Sequence, residues 1–150
     1  MKPTIESLEG KVWPEPEFDS LLILTAHTLR KKPLEELTLN DLRVAFKEDV
    51  GADFLKSIVL EILKKEPAAE AAYFEGDLLV AVMCSRQFRG DDAFKKEIIG
   101  CAEKALPAIS DTETRDEIQA IRFGYSSIAM TRSFSRRLGN RCWLARSGGR

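Results

Sequence analysis

The chain has 150 residues, 44% of them apolar and 31% charged, with a formal net charge of −1. That is one domain's worth of sequence, long enough to bury a hydrophobic core without disulfide or metal staples. The longest uninterrupted apolar run, Leu78 to Cys84, is too short to cross a bilayer. The opening Met1-Lys2-Pro3-Thr4-Ile5-Glu6 lacks the pattern of a signal peptide. Cys84, Cys101 and Cys142 are odd in number and widely spaced. They argue against a disulfide framework, read as small buried apolar residues and suit a reducing compartment. A cytoplasmic location is expected.

The small net charge hides an asymmetry. Residues 1–117 carry all 24 acids and a net charge of about −8, whereas residues 118–150 carry seven arginines and no acid. Lysine does not recur after Lys104. The tail therefore differs from the body in composition as well as sign.

Taken in chain order, Thr4 to Glu9 predicts one helical turn ended by Gly10. Val12-Trp13-Pro14-Glu15-Pro16 is extended, because proline disfavours the α region for the residue before it. A helix is expected from Phe18 to Arg30, with basic residues in its last turn to suit the helix dipole and Pro33 to close it. Thr38-Leu39-Asn40-Asp41 approximates a capping box, with Asp in place of the usual Glu. Leu39, Leu42, Ala45 and Phe46 follow at helical spacing, and Gly51 ends the element. From Ala52 to Lys65 the pairs Phe54/Leu55, Ile58/Val59 and Ile62/Leu63 recur every four residues as an amphipathic stripe, stopped by Pro67. Leu78 to Cys84 fits a buried strand or a buried helix. Helical neighbours and Asp77 as a possible N-cap favour helix. Asp91-Asp92 opens a helix with Phe94, Ile98, Cys101, Ala102 and Ala105 on one face. Ser110-Asp111-Thr112-Glu113 is a second capping-box candidate before Ile118 and Ile121, with Gly124 as C-cap. Met130, Phe134 and Leu138 could form a last helix before a frayed end at Ser147-Gly148-Gly149. The fold class expected is all-α, a compact single-domain bundle of five to seven short helices. Residues 1–124 form the domain and residues 125–150 an Arg-rich C-terminal extension. The core should include Leu22, Leu42, Phe46, Phe54, Leu55, Ile58, Ile62, Leu79 and Ile98.

No catalytic constellation is legible, and no enzyme activity, cofactor or metal site is expected. His27 is the single histidine and no Cys-x-x-Cys pair is present, so a zinc site lacks its usual ligands. His27 lies beside Ile23 and Leu24 on a helix and reads as a partly buried, hydrogen-bonded side chain. Gly148-Gly149 does not follow a strand and open a helix, as a phosphate loop would. Gly124-Tyr125-Ser126-Ser127-Ile128 lacks the second glycine of a nucleophile elbow. Asp91-Asp92 and Asp111/Glu113 are better explained as helix caps than as an acid–base pair.

What remains is surface. Glu35, Glu36, Asp41, Glu48, Asp49, Asp53, Glu75 and Asp77 gather around the turns of the central helices. They form either a solvated face with N-caps or an acidic patch that captures a basic partner. Trp13, Phe18, Tyr73 and Phe74 lie in loops rich in Pro and Glu, as lids over the core or as binding anchors. For Trp13 the lid is favoured.

Several stretches, taken in order, resemble one family. They are Leu8-Glu9-Gly10-x-x-Trp13-x-x-Pro16-x-Phe18-Asp19-Ser20, His27-x-Leu29-Arg30-Lys31-Lys32-Pro33-Leu34, Leu39-x-Asp41-Leu42-Arg43, Leu60-Glu61-Ile62-Leu63-x-x-x-Pro67 and Tyr73-x-x-Gly76-Asp77-Leu78-Leu79-x-x-Val82. Their order and spacing over residues 4–83 are similar to the immunity proteins of bacterial contact-dependent growth inhibition (CDI) systems. Lys47 to Phe54 departs from the more apolar, Gly-richer turn of that family, and the Arg-rich tail has no counterpart in it.

The resemblance implies a cytoplasmic antidote that binds the toxic C-terminal domain of a large surface protein delivered by a neighbouring cell. Such toxins are often nucleases with basic substrate grooves, which an acidic body would face and block. With that partner, the acidic patch and the loop aromatic give the candidate toxin-binding residues Glu35, Glu36, Asp41, Glu48, Asp49, Asp53, Tyr73, Glu75 and Asp77. The expected partner is that toxin protein, with no membrane partner. A second reading uses the tail, whose seven arginines with Tyr125, Phe134 and Trp143 could bind nucleic acid through phosphates and stacking. The acidic body and the lack of a recognisable nucleic-acid module weigh against it.

Overall fold

A computed structural model describes residues 2–17 and 20–123 of the chain. Among these it contains eight α-helices: α1 (Ile5–Glu9), α2 (Leu21–Lys31), α3 (Leu39–Glu48), α4 (Ala52–Lys65), α5 (Asp77–Met83), α6 (Arg86–Gly90), α7 (Asp92–Ala105) and α8 (Thr112–Arg122). A 3-10 turn at Leu34–Glu36 joins α2 to α3. The all-α architecture is the one expected, with α6 and the 3-10 turn added to it. Phe18, Asp19 and everything from Gly124 onward lie outside the described residues, including the candidate helix at Met130, Phe134 and Leu138 and the whole Arg-rich tail.

Local chemistry accounts for most helix ends. Thr4 and Ser7 form a reciprocal capping box on α1, and Gly10 closes it at φ 63°. Thr38 and Asp41 form the same box on α3. Asp77 proves to be the first residue of α5, one place inside the N-cap Gly76. On α8 the cap is Asp111 rather than Ser110, with Thr114 N–H donating to its carboxylate at 2.9 Å. The sequence signal was shifted by one residue in both cases.

α5 lies at the centre, packed on α3, α6, α7 and α8. Six of its seven residues are buried, as suits a short helix that is apolar nearly all round. α4 lies against α3 and α7, and α1 packs on α2. Phe46 of α3 and Phe94 of α7 stack with centroids 6.2 Å apart. Beyond residue 95, Ile98, Cys101, Ala102, Ala105, Ile109 and Ile118 enter the same core.

Two expected core residues are not in it. Leu22 is 51% exposed and Phe54 38% exposed, whereas Leu42, Phe46, Leu55, Leu79 and Ile98 are buried. On α4 the buried members of the three pairs are Leu55, Val59 and Leu63, and Ile58 and Ile62 are half-buried beside them. Each pair offers two apolar residues 100° apart, so the pattern could not say which one faces inward. On α2 the exposed run is Leu21 to Leu24, and the buried face is Ala26, Leu29 and Arg30. Cys101 is buried and free, and Cys84 is half-buried against the core.

The N-terminal segment is held by a buried cation. Arg30, 1% exposed, donates from Nε to Glu9 Oε2 at 3.1 Å and from a terminal nitrogen to the Lys11 carbonyl at 2.8 Å. Its other terminal nitrogen faces the Glu6 carboxylate at 3.7 Å. The guanidinium lies 4.0 Å from the Trp13 ring centroid, and Trp13 meets His27 edge-on at 5.5 Å. Trp13 is thus the lid expected of it, with a cation beneath it.

Replacing Leu55 by Ala should cost about 2–5 kcal/mol in denaturant unfolding, the range for emptying a tightly packed leucine site. Phe54→Ala, on the outer half of the same stripe, should cost less than half as much. Equal losses would show that the inward face of α4 is misassigned.

Candidate functional site

The nine residues expected at a binding surface fall into three separate places. Glu35 and Glu36 are exposed on the 3-10 turn, where both pair with Lys2. Together with the Leu34 N–H bonded to the Pro3 carbonyl at 2.9 Å, these pairs fasten the start of the chain to the α2–α3 connection. Asp41, close by, caps α3 and accepts a bond from Lys32 Nζ at 2.7 Å. Burial pushes the Asp41 carboxyl up. The Lys32 ammonium and the Thr38 backbone N–H outweigh that and hold it below the usual carboxylate range.

The second place is the α3–α4 turn. Asp49 adopts the left-handed conformation at φ 56°, Val50 turns into the core, and Gly51 is left-handed again at φ 61°. The turn is tight because a Cβ on Gly51 would stand 2.3 Å from Ile5 Cγ2, so only glycine lets α1 seat there. The turn leaves Asp49 and Asp53 exposed and Glu48 half-buried beside Lys47 at 3.1 Å.

Asp49 and Asp53 line an open cleft of about 380 Å³, with Glu9 from α1, Lys56 from α4, Arg86 from α6 and Asp91 at the start of α7. Four carboxylates thus face two cations. Lys56 bonds Asp91 at 3.0 Å and Arg86 lies 3.5 Å from Asp49. Asp53 has no ion pair among the described residues. The Phe94 backbone N–H and the Lys56 ammonium keep the Asp91 carboxyl below its ordinary range. An exposed pair such as Arg86–Asp49 is worth little on its own, so a partner's cation can replace it at small cost. The sequence reading missed Glu9, Lys56, Arg86 and Asp91 as members of this site. Asp91 carried a cap signal, but no local pattern joins four separate elements around one cleft.

The third place is the loop before α5. Asp77 is 3% exposed. Its carboxylate accepts the backbone N–H groups of Ala71 at 2.6 Å and of Ala72 and Tyr73 at 2.9 Å each. It shapes the loop, and its charge is spent within the chain. Glu75 is exposed and accepts from the Ser110 backbone and hydroxyl at 3.3 and 3.2 Å. Tyr73 is 62% exposed, with the buried Arg43 guanidinium 4.7 Å from its ring centroid.

The family model for CDI immunity proteins matches residues 7–95, from α1 into the first turn of α7. This chain belongs to that family of immunity proteins, whose counterparts are contact-dependent growth inhibition toxins. No curated protein matches it in a sequence search, and no solved structure matches its fold. Among the described residues, no helix is long and apolar enough to cross a membrane.

A depressed folded-state pKa stabilises the fold above the unfolded value, about 3.9 for Asp, and that contribution fades as pH falls through the folded value. Asp41→Asn should therefore lower stability at neutral pH and leave a flatter loss of stability below about pH 4. Parallel acid limbs for the two proteins in denaturant titrations would show that Asp41 is not so held.

Proposed function

We propose that this chain protects its cell by binding the cognate toxin domain in the cytoplasm and covering the toxin's active site. Membership of the CDI immunity family over residues 7–95 carries the reading. The chemistry of the surface extends it. A body with a net charge of about −8 suits a partner with a basic groove, so the opposed toxin is inferred to be a nuclease. In this reading the chain acts as a stoichiometric inhibitor and not as an enzyme. Its affinity comes from complementary shape, and charge speeds the encounter. Of the three acidic places, the α3–α4 turn is proposed to face the toxin, because it opens into a cleft. Asp53 there is available to a partner's cation, and Asp49 holds its own through an exposed pair.

Residues 1–124 are proposed as the immunity domain. Its core draws on α7 and α8 beyond the matched segment, and the tail from residue 125 is proposed to be dispensable for folding. A chain truncated after Gly124 should unfold cooperatively and keep toxin affinity within about threefold, a change of under 1 kcal/mol. Loss of cooperative unfolding would place tail residues in the folding unit.

The binding face is tested by combining Glu48→Lys, Asp49→Asn and Asp53→Lys, with Asn chosen because it tolerates the left-handed conformation. Association with an inactive form of the toxin domain encoded beside this gene should slow several-fold. Its salt dependence should flatten, since such steering is screened over about 8 Å at physiological ionic strength. Lysines at Glu103, Glu113 and Asp116, on α7 and α8, form the control. Equal behaviour of the two triple variants would exclude the α3–α4 face. Absence of binding by the unaltered chain would overturn the toxin-binding reading itself.

A further inference from the structure

We propose that Tyr73 is a preorganised aromatic anchor which inserts into the basic surface of the toxin domain. The inference rests on the toxin-binding reading and adds a second contact point to it.

The loop between α4 and α5 is unusually well held for an exposed connection. Asp77 gathers three consecutive backbone N–H groups ending at Tyr73. Upstream, Ala69 is buried and its N–H bonds the Glu66 carbonyl at 3.2 Å. Downstream, Gly76 bonds the Ala68 carbonyl at 3.2 Å, and a Cβ on Gly76 would stand 2.8 Å from Ile109 Cδ1. Phe74, the neighbouring aromatic, packs against the core. Against this fixed frame Tyr73 is 62% exposed.

An exposed ring on a fixed backbone has already lost most of the conformational freedom that binding would otherwise remove. The Arg43 guanidinium behind the ring adds a cation–π contact, which strengthens when a partner excludes water. Buried tyrosines with a polar tip are among the residues that dominate protein interfaces. The charge of the loop selects the partner. From Glu66 to Asp77 there are four acids and no Lys or Arg, and Glu66 and Glu70 form no ion pair among the described residues. A basic protein surface with an apolar recess fits that combination. Arg43 on α3 and Asp49, the cap just past its end, are six residues apart, about 9 Å along the helix direction. A standard interface covering about 800 Å² of each partner is wide enough to reach both the loop and the cleft.

The probe is the inactive toxin domain encoded beside this gene, bound to the full chain, with both rates measured. Tyr73→Ala should weaken binding by at least about tenfold, mainly through faster dissociation. Tyr73→Phe, which keeps the ring, should stay within about threefold, too small a change to count as a lost anchor. Glu66→Lys with Glu70→Lys should slow association and reduce its salt dependence. Ala72→Arg, at an exposed position, should also weaken binding and decides the matter if Tyr73→Ala lowers the melting temperature. If the unaltered chain binds tightly and both Tyr73→Ala and Ala72→Arg bind as it does, this inference is overturned and the toxin-binding reading stands. If the unaltered chain does not bind, both fall together.

Discussion

The seating of Ile5 on Gly51 fastens α1 to the α3–α4 turn. Ile5 is fully buried, and it can approach the α3–α4 turn so closely because Gly51 has no Cβ and accepts a left-handed backbone. From that contact α1 gains its position, and with it Glu9 reaches both Arg30 and the cleft. The turn also sets the angle at which α4 leaves α3 and so helps bring Leu55, Val59 and Leu63 into the core. Gly76 repeats the device with Ile109 at the other side of the core, fixing the loop that carries Tyr73.

Charges in this protein do two different jobs, separated by burial. Arg30 sits among Glu9, Glu6, the Lys11 carbonyl and the Trp13 ring with almost no contact with water. A buried cation must keep its partners, because losing one leaves a desolvated charge uncompensated. This group therefore specifies where the N-terminal segment lies. Arg86–Asp49 is exposed and Lys56–Asp91 half-buried, so water and salt weaken both far more than the Arg30 group. An antidote needs both kinds: a rigid frame, and a surface whose ion pairs are cheap to replace.

The candidate site was only partly legible for the same reason. Acidic residues at turns can be seen in one dimension, but their use cannot. Asp77 and Asp53 look alike in the sequence, and both begin helices. The fold buries Asp77 under a loop whose three N–H groups need an acceptor, and leaves Asp53 in water at a cleft. Glu9 meets Arg86 and Asp91 there across more than seventy residues, with no local signal to announce the meeting. Tyr73 could be named as lid or anchor from its loop, but only the backbone bonds to Asp77 and the cation behind its ring distinguish it from Phe74.

The sequence by itself determined the helical class, the capping box at Thr38, the helix cap at Asp111 within a residue, and the breaks at Gly10, Gly51 and Pro67. It also carried the ordered matches that define the family. These depend on interactions within a few residues, which spacing and residue type encode directly. Tertiary structure alone decided which residue of each apolar pair on α4 turns inward and that Leu21 to Leu24 remain exposed while Arg30 is buried. It also brought the acids of α1, α4 and α7 to one cleft. Those outcomes depend on how elements distant in sequence pack, where a single rotation of about 100° about a helix axis exchanges core for surface.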